Sequence, residues 1–204
     1  MTHPAILAYE QTIEKEFPLI LFIGREPNNT SISDGTIGGL PFTEKGERDG
    51  KKFNNAKCGF WNTAFSIFGY YNSSDIRQIK RLFIDKKASP IIFTDASPYG
   101  ILNEVRNKGD HRGQLTNKHF DEQLKIIFDT HDIIKRVKLI FLSGLDAHVY
   151  AYFNSEVKKR ASLLTVPCIE IPFLFGNNSP LIRQKISENS SAIEIIQSVF
   201  NSFN

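Results

Sequence analysis

Two cysteines, one methionine and one tryptophan are the whole complement of these types in 204 residues. The thiols, Cys58 and Cys168, are too few for a disulfide framework and too few for a four-thiolate zinc or iron–sulfur site. Cys168 lies in an apolar run and reads as core. No apolar stretch approaches the roughly 20 residues that a membrane span needs. Met1 to Ile13 has neither the basic start nor the apolar run of a secretory signal, so the expectation is a soluble, cytoplasmic protein with no membrane partner. Charge of one sign is also missing: 25 Lys and Arg stand against 22 Asp and Glu, a net +3. That balance does not by itself call for a polyanion, and any nucleic-acid surface must rest on local clusters. His3, His111, His119, His131 and His148 show no metal-binding spacing, so no metal is expected. Gly35 to Gly39 does not join a strand directly to a helix, unlike a dinucleotide fingerprint. A Gly-x-Ser-x-Gly elbow is absent, which weighs against an α/β-hydrolase.

What the chain does have is a set of short, fully apolar runs that end in polar turns. Leu19 to Ile23 hold no polar residue, the pattern of a central parallel strand covered on both faces. The run stops at Gly24-Arg25-Glu26-Pro27-Asn28, where Gly24 and Pro27 turn the chain away and Glu26 would face the crevice beyond the strand end. Pro90 to Asp95 repeats the design and ends in Thr94-Asp95. Leu139 to Leu142 and Val166 to Ile171 supply a third and a fourth strand. Helical spacing is predicted over Ala5–Phe17, Ala56–Tyr71, Ser74–Lys86, Lys118–Val137, a segment through Ala147 and Phe153, and Ile193–Phe203. Arg25 to Asn55, Asn103 to Thr116 and Phe173 to Pro180 read as loops, the first unusually long for a structureless connection. Alternating strands and helices of these lengths indicate one α/β domain spanning residues 1–204, with a mostly parallel four-stranded sheet between helical layers.

Several of these segments together resemble the uracil-DNA glycosylase superfamily, most closely its mismatch-specific branch, over most of the chain. In that family the first strand ends in Gly-x-(Asp, Asn or Ala)-Pro-x, similar to Gly24 to Asn28. A Pro-Phe loop follows, like Leu40-Pro41-Phe42, and then a Phe-Trp pair opening a helix, like Phe60-Trp61. Ile140 to Tyr150 resembles the segment built as a hydrophobic residue followed by Gly-x-x-Ala. The closing motif, His-Pro-Ser-Pro-Leu or Asn-Pro-Ser-Gly, is similar to Asn177-Asn178-Ser179-Pro180-Leu181. Two departures stand out: Glu26 replaces a shorter residue, and Asn178 stands where the family usually has proline.

The resemblance implies a cofactor-free, monofunctional DNA glycosylase with a three-layer α/β/α fold, acting as a monomer on damaged or mismatched DNA. Breaking a glycosidic bond builds positive charge on the sugar and negative charge on the base, so a carboxylate and hydrogen-bond donors are needed. Glu26 is the candidate for assisting water, and Asn177 and Ser179 for supporting the leaving base. Gly24, Arg25, Pro27, Asn28 and Asn178 would form the walls, Phe60 would stack on the extruded base, and Thr94 and Asp95 would read it. Asp95 in place of Asn would read a donor-rich edge differently from uracil, which leaves the preferred base open. Lys51, Lys52, Arg81, Lys86, Lys87 and Lys158 to Arg160 are candidates for phosphate contacts. Two other readings share the residues: an inactive nucleic-acid or nucleotide-binding protein on the same fold, and a hydrolase of free nucleosides or nucleotides.

Overall fold

A computed structural model describes residues 5–25, 35–39, 47–48, 51–52, 59–97, 115–145, 148–174 and 176–204. The four apolar runs form adjacent strands, β2 (Leu19–Gly24), β6 (Ile91–Asp95), β7 (Val137–Ser143) and β8 (Cys168–Ile171). All three pairings among them are parallel, β6 and β7 flanking β2, and β8 lying outside β7. Two more strands extend the sheet, β1 (Ile6–Ala8) and β3 (Ile37–Gly39), giving the order β3-β1-β6-β2-β7-β8.

The sheet therefore has six strands rather than four, and it is mixed. β1 runs antiparallel to β6 and parallel to β3. The segment expected as one helix, Ala5 to Phe17, divides into β1 and a short helix, α1 (Glu10–Glu14). Ile6 and Ala8 are buried at the sheet, while Thr12 ties α1 to the start of β6. Its hydroxyl accepts from Ser89 N at 2.9 Å and donates to Ser89 O at 3.1 Å. A small hairpin of β4 (Glu47–Arg48) and β5 (Lys51–Lys52) stands apart from the main sheet.

Among the described residues six further α-helices follow: α2 (Gly59–Tyr71), α3 (Ile76–Lys86), α4 (Asn117–Asp129), α5 (Ala151–Leu163), α6 (Ser179–Ser187) and α7 (Ser190–Phe203). The start of α3 follows local sequence, since the Asp75 carboxylate accepts from Arg77 N and Gln78 N while the Gln78 side chain accepts from Asp75 N. The long helix expected to reach Val137 stops at Asp129. A 3-10 turn, Asp132–Arg136, then leads into β7, and the His131 ring contacts Gly35 O across the break. Pro180 opens α6 instead of extending a loop, because the first helical turn does not use the backbone N–H that proline lacks.

Side-chain alternation along the strands sends neighbours to opposite faces. Phe93, Phe22 and Phe141 are aligned in register across three strands and stack, with centroids 5.6 and 4.8 Å apart. Trp61, Phe60 and Phe65 of α2 cover Phe93, and Phe65 and Phe68 carry the packing outward to Phe83 of α3. Phe203 of α7 meets both Phe17 and Phe83. Thr94 points the other way and meets Gln123 of α4, whose neighbour Phe120 packs on Phe153 of α5. Both edge strands are short, and on β8 the outward Glu170 is paired with Lys158 at 2.7 Å.

Candidate functional site at the carboxyl rim of the sheet

In chain order the four parallel strands are arranged second, first, third, fourth. The connection leaving β2 leads to β6 and that leaving β7 leads to β8, in opposite directions, so the reversal falls between β2 and β7. In open α/β sheets that junction, at the carboxyl ends of the strands, is where a crevice opens. Gly24 ends β2 and Ser143-Gly144 ends β7, so the residues just beyond them are the ones the topology presents.

Three expected site residues meet at this rim. Gly24 is in register with Asp95 of β6. A Cβ at position 24 would lie 2.6 Å from Asp95 Oδ1 and 3.3 and 3.4 Å from the edge of the Phe60 ring. Gly24 thus lets a carboxylate and an aromatic ring close over the strand end, where any side chain would separate them. Asp95 and Phe60 are both half-buried. The rim is stiffened past the strands, since Ala96 N donates to Gly24 O and Ser97 N to Arg25 O, each at 2.9 Å.

Arg25 spans the junction. Its Nε donates to Gly144 O, and its guanidinium lies over the Phe173 ring, 5.4 Å from the centroid. Phe173 also packs on Phe60, with centroids 6.1 Å apart. Gly144 has a positive φ of 66°, and a Cβ there would press 2.8 Å from Phe173 Cβ and 3.0 Å from its Cα. The strand end and the Phe173 loop are locked together further by Leu174 N donating to Ser143 Oγ at 2.9 Å.

The closing motif follows directly. A 3-10 turn, Gly176–Asn178, packs against α2 and leads into α6 at Ser179. Asn178 Nδ2 donates to Phe173 O at 2.9 Å, so this side chain holds the loop in shape. Asn177 is exposed, Ser179 is half-buried at the first position of α6, and Leu181 two residues on is 56% exposed. Phe173 thus connects Phe60, Arg25 and Asn178. Asn177 lies in the same turn as Asn178, and Ser179 follows it directly. The end of α6 nearest this rim is its positive N-terminus, the polarity that suits an anion.

Thr94 lies elsewhere. It is buried, and its hydroxyl donates to Ala5 O, fastening β1 to β6 on the α4 side of the sheet. Glu26, Pro27 and Asn28 lie outside the described residues, as do Leu40, Pro41, Phe42 and Cys58; Glu26 follows Arg25 directly. Of the expected phosphate contacts, Arg81, Lys158, Lys159 and Arg160 are paired with Asp85, Glu170, Glu156 and Asp129. Lys86 Nζ holds Phe203 O at 2.6 Å at the end of α7.

Two participants were not anticipated. Phe173 offered no signal apart from its place after an apolar strand. Gln123 did, as a lone amide among Phe120, Leu124 and Ile127 on the inward stripe of a helix. It is 1% exposed, and its Nε2 donates to Asp95 O at 2.7 Å. A separate cavity of about 790 Å³ lies at the opposite end of the strands, lined by residues that include Phe17, Pro18, His131 and Arg136. Arg136 is already engaged there, donating to Lys15 O and to Thr12 O at the end of α1, and burial lowers its pKa. Glu14, Glu16, His131, Asp132 and Lys135 also line that cavity.

No described group of His, Cys, Asp and Glu is arranged to hold a metal ion, and no described helix is long and apolar enough to cross a membrane. No family model matches the chain, and no curated protein matches it. The fold and the rim together define an α/β protein with a mixed six-stranded sheet and a polar–aromatic cluster at the carboxyl ends of its strands.

Proposed function

We propose that this protein is a DNA glycosylase of the uracil-DNA glycosylase type, removing uracil or another damaged or mismatched base that has been turned out of the strand. The observation that carries the reading is the gathering of Gly24, Phe60 and Asp95 at the carboxyl rim across β2 and β6, with Phe173 linking Phe60 to the Asn178 turn and, through Arg25, to the β2–β7 junction. Helices on both sides of the sheet would make a three-layer α/β/α arrangement, with two strands added beyond β6. Phe60 supplies a ring face for a base and Asp95 a hydrogen-bonding edge. Leu181, an exposed apolar side chain beside the polar turn, has the character of a wedge that fills the gap left by an extruded base.

In the reaction, the oxygen of a water molecule bonds to C1′ of the sugar as the C1′–N bond breaks and its electron pair leaves with the base. Glu26 orients that water and takes its proton, while Asn177, Ser179 and N–H groups at the start of α6 stabilise charge on the departing base or hold phosphates. The activity is tested by incubating the protein with single- and double-stranded DNA carrying each common base lesion, then measuring free base and alkali-sensitive abasic sites. Release from at least one lesion is expected. A Glu26→Ala variant should lose it while still binding DNA in a salt-dependent manner. If every lesion survives, the catalytic reading is wrong. A second reading, a catalytically inactive nucleic-acid or nucleotide-binding protein, is favoured by the longer carboxylate at position 26 and the missing proline at position 178. DNA binding without base release would select it.

A further inference from the structure

We propose that Asp95 makes this site selective for a base edge with two adjacent N–H donors, the guanine type, so that the substrate is a damaged guanine rather than uracil. The inference rests on the glycosylase reading and deepens it. A carboxylate is an acceptor at both oxygens, with about four lone-pair positions. Uracil offers one ring N–H between two carbonyl oxygens. A carboxylate accepting from that N–H sets its second oxygen against a carbonyl, acceptor against acceptor. Guanine presents its ring N1–H beside its 2-amino group, and both donate in parallel to one carboxylate, the fork geometry that makes charge-assisted pairs strong. Oxidation at C8 leaves that edge intact.

The placement of Asp95 suits reading rather than solvation. Its Oδ1 and the edge of the Phe60 ring flank the same point above Gly24, so a base stacked on Phe60 has its edge next to the carboxylate. The Asp95 main chain is fixed from behind by Gln123 Nε2 on Asp95 O at 2.7 Å, and from the side by Ala96 N on Gly24 O at 2.9 Å. Gln123 is a positioning residue: it reaches the base only through Asp95. Discrimination between the two edges by a bidentate contact is worth about ten- to a hundredfold.

The test is the single-turnover rate of base release from otherwise identical duplexes containing uracil or 8-oxoguanine, for the wild type and for Asp95→Asn. The wild type should release the oxidised guanine at least ten times faster than uracil. Asp95→Asn, of the same shape but with one donor and one acceptor, should reverse the order. A wild-type preference for uracil, or a ratio that stays within twofold after the substitution, overturns the inference while leaving the glycosylase reading intact. If neither base is released, equilibrium binding of deoxyguanosine and deoxyuridine decides it. Preference for deoxyguanosine that is lost in Asp95→Asn upholds the recognition role in a protein that does not hydrolyse, and equal or absent binding rejects it. The wild-type ratio is sufficient should the variant fail to fold, which thermal unfolding would reveal.

Discussion

Replacing Gly24 by alanine separates the site from the fold that carries it. The glycine ends β2 without a left-handed backbone conformation, so alanine meets no conformational barrier there. Stiffening the unfolded chain should even return about 0.5–1 kcal/mol. Opposing this, the new methyl would lie 2.6 Å from Asp95 Oδ1 and 3.3 Å from Phe60 Cε2, inside ordinary contact distance. Asp95 must withdraw by somewhat under 1 Å, and Phe60 must tilt by a few tenths of an ångström. Overpacking of this kind costs about 1–3 kcal/mol, leaving a net loss of ~0–2.5 kcal/mol, or a fall in Tm of up to about 10 °C for a chain of this size. A displacement approaching 1 Å in a reacting constellation costs up to about a hundredfold in rate. Thermal unfolding and base release, measured on the same preparation, should therefore diverge: a modest change in Tm and a loss of most activity. Full activity in Gly24→Ala would refute the placement of Asp95 and Phe60 over a bound base.

Gly144→Ala should be the more damaging of the two to stability. A positive φ and a backbone neighbour that cannot swing aside add to about 2–5 kcal/mol in denaturant unfolding, and a variant as stable as the parent would contradict the described packing of Phe173. Thr94→Val should lower stability by about 1–3 kcal/mol, because Ala5 O loses its buried donor. It should leave KM for the lesion-bearing DNA unchanged, and a selective rise in KM would return Thr94 to the binding surface. Burial pushes the Cys168 thiol up to about 12, from the usual value near 8.5. In a Cys58→Ser background, alkylation at pH 8 should be about a thousandfold slower in the folded protein than in denaturant. Because the folded pKa is the higher one, the stability this thiol contributes is complete below about pH 8.5 and is lost as pH rises toward 12.

The central strands were readable because burial on both faces leaves nothing polar in them, as in Leu19 to Ile23. β1 was hidden because Ile6 and Leu7 also fit a helical stripe with Ile13 and Phe17; pairing with β3 and β6, which depends on distant residues, decided the matter. β3 offers one apolar side chain in Ile37-Gly38-Gly39, too little for any periodicity. The break after Asp129 was masked by the inward spacing of Ile133, which the 3-10 turn keeps buried. Within the site, Gly24 and Asp95 could be named as strand-end residues from local pattern, whereas Phe60 was named only through the family resemblance. The roles of Arg25, Phe173 and Gln123 could not, since each arises from contacts more than 25 positions apart in the chain.

The two margins of the sheet bear on whether copies of this protein could join strand to strand. Strand-to-strand joining needs a long, flat row of unpaired backbone groups, and β3 provides three residues and β8 four. The Glu170–Lys158 ion pair sits on one of those margins, so a second chain laid alongside β8 would have to strip water from both charges. Growth of the sheet from molecule to molecule is thereby discouraged at both ends, and the long hydrophobic strands stay enclosed where neighbouring molecules cannot reach them.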